Sequence, residues 1–132
     1  MSPENNEIRL IFFPGKDQES RKKILHIIKK LIPEDLINIH TNLESLLSDL
    51  RKPDDSQRII LIISKTQKDL SNILLLKELL NDQHLIMILP DTTEETMSQA
   101  YKLYPRYISH IQKEFKDVKN VLGKMINKLQ TK

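Results

Sequence analysis

Apolar positions along the chain follow two periods in turn. Five short runs, Ile8–Phe13, Leu36–Ile39, Ile59–Ile63, Leu85–Leu89 and Tyr107–Ile111, begin 28, 23, 26 and 22 residues apart. Runs this short, rich in Ile and bounded by turn residues, predict strands. The first, third and fourth (IRLIFF, IILII, LIMIL) are almost wholly apolar, as expected of strands covered on both faces. The second (LINI) and fifth (YISHI) admit polar residues and suit sheet edges.

Between the runs, apolar residues recur every three or four positions. Ile24, Ile28 and Leu31 mark a first helix, Leu43, Leu46 and Leu50 a second, and Leu70, Ile73, Leu76 and Leu80 a third. Met97, Ala100, Tyr101 and Tyr104 give a weaker fourth stripe, and Phe115, Val118, Leu122 and Met125 open the fifth. Each stripe predicts an amphipathic helix with one buried face. Three helix starts pair a threonine with an acid three residues on: Thr41 with Glu44, Thr66 with Asp69, and Thr92 with Glu95. That spacing predicts capping boxes, which assigns these polar residues to helix ends rather than to chemistry. Asp17 and Glu19 take the same role at the first helix.

Strict strand–helix alternation implies an α/β fold, a (βα)5 doubly wound parallel sheet with right-handed crossovers. Placing the apolar strands centrally gives the order 2-1-3-4-5, the flavodoxin-like arrangement. No linker or low-complexity tract interrupts residues 1–132, so one domain is expected, with Asp54-Asp55-Ser56 and Pro33–Asp35 as ordinary loops. In such a sheet, ligands and chemistry gather where the winding reverses, at the carboxyl ends of strands one, three and four. Those ends read Phe13-Pro14-Gly15-Lys16-Asp17, Ser64-Lys65-Thr66 and Leu89-Pro90-Asp91.

Composition removes several function classes. The chain has no cysteine, and its histidines at 26, 40, 84 and 110 lack metal-ligand spacing, so neither a metal nor a cofactor is expected. Pro14-Gly15-Lys16 has a glycine beside a lysine but no further Walker loop. With two glycines in all, there is no glycine-rich phosphate cradle, and FPGKDQES is a poor flavin phosphate loop. No apolar run approaches a membrane span, and Glu4 and Glu7 replace a basic leader, so a cytoplasmic setting is expected.

The stretch IILIISKTQKDLSNILLLKELL resembles strand three through helix three of response-regulator receiver domains, and LIMILPDTTEETMSQAYKLYPRYISHI resembles their strand four through strand five. The resemblance spans nearly the whole chain as a pattern, with no diagnostic motif intact. It implies an acid pair after the first strand, a phosphoacceptor aspartate after the third, a hydroxyl after the fourth and a lysine after the fifth. Here Phe13-Pro14 stands for the acids, Ser64 for the phosphoacceptor, Ile88 or Leu89 for the hydroxyl, and His110 or Ile111 for the lysine. Lys113-Glu114-Phe115 echoes the receiver's Lys-Pro-Phe about three residues late. Two apolar side chains cannot hold Mg²⁺, and a serine without a base is a poor nucleophile. The implied function is a degenerate, non-catalytic receiver-like signalling module that acts by protein–protein contact. An enzyme alternative would use the switch point, with Ser64, Lys65 and Asp91, for phosphoryl or nucleotide chemistry.

Charge adds a second surface. Residues 102–132 carry a local balance of +6 within a net +3, and Arg21-Lys22-Lys23 with Lys29-Lys30 form another basic cluster. Both fall on the first and fifth helices, which this winding puts on one face. A nucleic-acid-binding regulator is the corresponding third alternative, disfavoured because only Phe115 offers an aromatic ring nearby. The three tyrosines crowd into positions 101, 104 and 107 beside Lys102 and Arg106. Tyr and Arg are enriched at interfaces, so Lys102, Tyr104, Arg106 and Tyr107 are the expected partner surface. In receivers the face made by helix four, strand five and helix five commonly serves partners or a homodimer, and this segment maps there. Tyr101 and Tyr107 are expected partly in the core, Tyr104 in solvent.

Overall fold

The computed structural model describes residues 7–53 and 57–130. Asp54-Asp55-Ser56 and Glu4 lie outside the described residues. The elements run β1 (Ile8–Phe13), α1 (Gln18–Lys29), β2 (Ile37–Ile39), α2 (Leu43–Arg51), β3 (Gln57–Ile63), α3 (Gln67–Leu74), α4 (Lys77–Leu80), β4 (His84–Leu89), α5 (Glu94–Tyr101), β5 (Tyr107–His110) and α6 (Val118–Gln130). Five strands form one parallel sheet in the order β2-β1-β3-β4-β5, the flavodoxin-like order expected. Central pairing is regular: Leu10 lies opposite Ile59 and Phe12 opposite Leu61, and Leu61 in turn faces Ile86.

Alternation along each strand divides the core in two. Ile11, Phe13, Ile60, Ile62, Met87 and Leu89 pack against Leu46 and Leu50 of α2, Leu70 and Ile73 of α3, Leu80 of α4 and Ala100 of α5. Leu10, Phe12, Leu61, Ile63, Ile86 and Ile88 face Ile24 and Ile28 of α1 and Val118 and Leu122 of α6. Strands that must bury both faces cannot spare polar positions, which is why β1, β3 and β4 read as continuous apolar runs. Edge strand β2 is only half-buried throughout, and Ser109 is the one fully buried residue of β5.

Local details depart from expectation in several places. Leu36 belongs to a 3₁₀ turn over Glu34–Leu36, its amide bonded to the Pro33 carbonyl, so β2 begins one residue late. Ile111 likewise opens a 3₁₀ turn, and β5 ends at His110. The expected third helix is two helices. Leu75 and Leu76 bond back three residues, to Asn72 and Ile73, and this tighter turn directs both Leu76 and Leu80 into the core. Leu75 is thrown outward, 79% exposed.

Helix starts follow the same logic. Thr66 caps α3 as expected, accepting from the Asp69 amide at 3.0 Å. At α2, however, the cap is Asn42 rather than Thr41, its side chain accepting from the Ser45 amide at 2.8 Å. Asparagine is the better cap of the two neighbours. At α5 the cap is Thr93 rather than Thr92. Asp91 accepts from both the Thr93 amide (3.0 Å) and its hydroxyl (2.8 Å), which sets Thr93 in the extended conformation a cap requires.

Candidate functional site

At the switch point the chain leaves β1 through a buried Pro14 and Gly15 at φ +71°. Gly15 and Lys16 form the turn, where glycine adopts the left-handed conformation without a Cβ penalty and carries the chain toward α1. Asp17 stands at the N-cap of α1, where its carboxylate meets both the first turn of the helix and the loop after β3. It accepts from the Ser20 hydroxyl and pairs with Lys65 at 3.1 Å. The Ser20 hydrogen bond, joined by Lys65, holds its carboxyl below the usual aspartate range. Lys65 thus ties the β1–α1 and β3–α3 loops together, and its amide donates to Asp69 at 3.2 Å.

Ser64, the expected phosphoacceptor position, is fully buried. Its amide continues the ladder to the Ile88 carbonyl at 2.8 Å, so one step beyond the Ile63–Ile88 pair it comes level with Leu89. Leu89 is paired with His110 on β5. Ser64, Leu89 and His110 therefore make one row across the sheet, on the face covered by α2–α5. A buried leucine separates the two polar members. Among the described residues neither Ser64 Oγ nor His110 Nδ1 has a hydrogen-bond partner, and both atoms are buried. A hydroxyl in that state has no group to withdraw its proton, so it is a weak nucleophile.

Asp91 does not reach this row. It is occupied by Thr93, and the hydroxyls of Thr93 and Thr96, bonded to each other at 3.0 Å, continue to the Gln67 side-chain amide. Hydrogen bonds from Thr96 and from Thr93 keep its carboxyl below the usual range. Among the described residues no hydrogen bond or ion pair joins the side chains of Ser64, Lys65 and Asp91 to one another. No group of three or more potential ligands that could hold a metal ion occurs among the described residues.

Two polar networks had no place in the sequence-based expectations. His40, at the carboxyl end of β2, bridges Ser45 and Asp49 on α2, with Nε2 at 2.7 Å from Asp49, which also accepts from Asn38 at 3.0 Å. Burial works against the Asp49 charge, yet the bonds from His40 and Asn38 prevail and hold its carboxyl low. Ser45 and Asp49 lie four apart on one helix, a signal visible in sequence once the strand end is placed. The second network joins β5 to the residue just before α6: Asp117 accepts from the Tyr107 hydroxyl at 2.6 Å and from the Ser109 hydroxyl at 2.9 Å. Positions 107 and 109 share one side of a strand, which was the available clue.

The expected partner surface divides. Tyr104 is 67% exposed in a left-handed conformation (φ +53°), and with Arg106, Asn81 and Asp82 it lines a cavity of about 290 Å³ at the amino edge of the sheet. Lys102 beside it is exposed. Tyr101, expected partly in the core, is 59% exposed, because Ala100 and Leu103 already fill the inward positions. Tyr107 turns to the opposite face, half-buried among the α1 and α6 side chains and committed to Asp117. That bond, more than burial, raises its phenol above the usual range.

No helix of the described residues is long and apolar enough to cross a membrane. No protein-family model and no curated protein matches the chain. A similar solved structure is that of a Burkholderia pseudomallei protein described as pilus assembly-related. The two share 13% identity and superpose with a TM-score of 0.63 over 97% of this chain and 95% of that one. At that identity the likeness is one of fold, the flavodoxin-like α/β sheet.

Proposed function

We propose that the chain is a receiver-like signalling module that has lost phosphotransfer and works by protein contact. The observation that carries this is Ser64: the position a phosphoacceptor would hold has a buried hydroxyl with no partner, level with Leu89. The contact surface is the amino-edge patch of Tyr101, Tyr104 and Arg106. Tyr101 and Tyr104, with Leu75, are the large apolar residues that remain exposed among the described residues. Tyrosine and arginine around a shallow cavity form the kind of anchor set interfaces use. A second copy of the chain or another signalling protein would serve as partner. The description of the similar structure as pilus assembly-related supports a setting in which proteins assemble by contact.

The experiment has two arms. Incubation with acetyl phosphate, or with beryllofluoride and Mg²⁺, should leave mass and amide spectra unchanged; a one-phosphate mass gain or a Mg²⁺-dependent shift at Ser64 would overturn the reading. In sedimentation or titration, Tyr104→Ala should weaken association by ~1–2 kcal/mol with little change in melting. Association that survives Tyr104→Ala and fails with Ser64→Ala would return the active surface to the switch point.

A further inference from the structure

The α1–α6 side of the molecule carries a second surface, independent of the amino-edge patch. Asn120, Gly123, Lys124 and Asn127 follow one another at helical spacings of three, one and three along α6 and so form a single outward stripe. With Lys119 and Ile126 flanking it and Leu31 opposite, the stripe lines a groove of about 440 Å³. Gly123 lies at its centre. Glycine is the poorest helix former after proline, and here the fold does not call for it. Its φ is not in the left-handed region, and a Cβ added there would meet nothing within 4 Å. The chain's own packing therefore gives no reason to leave out the side chain. A partner whose backbone comes close to α6 does, since interaxial distance between helices is set by the side chains at the crossing.

Charge defines that partner. α6 carries Lys119, Lys124 and Lys128 and no acid in its 13 residues. Lys119 and Lys124 rim the groove with no acidic partner among the described residues, and Lys30 is exposed near the end of α1. A second copy presenting the same helix would set lysines against lysines. A membrane surface would need large apolar side chains pointing outward, whereas Val121, Met125 and Leu129 pack against the core. We infer that the α1–α6 groove receives an acidic amphipathic helix of another protein, which crosses α6 at Gly123 with its carboxylates on Lys119 and Lys124.

The probe is a fluorescein-labelled helical peptide with an Ala/Leu stripe flanked by glutamates, with a control in which lysines replace the glutamates. Anisotropy titrations at low and high salt should show binding of the acidic peptide only, weakened by salt. Gly123→Ala should raise the melting temperature, because alanine favours the helix, yet weaken peptide binding about tenfold by filling the crossing point. Lys119→Glu with Lys124→Glu should exchange the preference to the basic peptide. Opposite effects on folding and binding from one methyl group are not what a merely structural glycine would give. Unchanged peptide binding in Gly123→Ala would overturn the inference. So would equal binding of both peptides, or displacement of the acidic peptide by single-stranded DNA or phosphatidylglycerol vesicles.

Discussion

His84, at the start of β4, is held below the ordinary histidine value first by burial and then by the positive charges of Arg106 and Lys128. The folded chain thus takes up a proton on His84 less readily than the unfolded chain does. Below the unfolded value of 6.5 the unfolded state binds more protons, and stability rises with pH through that region. The contribution is fully present above 6.5 and is lost as pH falls. Urea midpoints should therefore drop between about pH 7.5 and about pH 5.5, and His84→Gln should flatten that change. An identical pH dependence in the variant would remove His84 as its source. Asp17, Asp49, Asp91 and Asp117 are all depressed below 3.8 and act in a lower window, where stability falls as they protonate.

At the scale of elements, each helix start is decided by one residue that accepts from the first turn. Thr66 makes that bond, so Thr66→Ala should cost ~1 kcal/mol in chemical denaturation. Thr41 and Thr92, which fit the same three-residue pattern, do not cap, and their alanine variants should stay within about half a kcal/mol. Comparable losses at all three would mean that the caps lie where the pattern alone puts them. The interruption between α3 and α4 has an equally local cause. Spacings of three from Leu70 through Ile73 to Leu76 match a 3₁₀ turn better than an α-turn, and the helix tightens to keep all three inward.

At the scale of the whole molecule, stability is concentrated in the three central strands, whose residues bury both faces of the sheet. Leu61 is fully buried, flanked by Phe12 and Ile86. Leu61→Ala should cost ~2–5 kcal/mol through lost burial and the cavity it leaves. Lys22→Ala, on the exposed side of α1, should stay within about half a kcal/mol. Equal denaturant midpoints for the two variants would contradict the central place of β3. Tyr107 and Ser109 on edge strand β5 gather the start of α6 through Asp117, which ties the last helix to the sheet at its weakest side.

Periodicity in the sequence was sufficient for the strand count, the parallel sheet and the strand order. Burial on one face or two is written directly into how apolar a strand must be, and IRLIFF, IILII and LIMIL permit only central places. The same alternation suffices to put Ser64 and His110 at carboxyl ends of strands. What lay beyond the sequence were contacts between residues distant along it. The Asp17–Lys65 pair joins two loops across the sheet, and the row Ser64, Leu89, His110 exists only once three strands are in register. The choice between neighbouring caps was local but lay outside the Thr-x-x-acid pattern: asparagine caps better than threonine at 42, and Asp91 sets the turn that makes Thr93 the cap. The tyrosine cluster was contiguous in sequence yet divided in space, because Tyr104 sits on a loop while Tyr107 enters a strand and takes the side its pleat dictates. Gly123 stands out only when the space above it is seen to be empty.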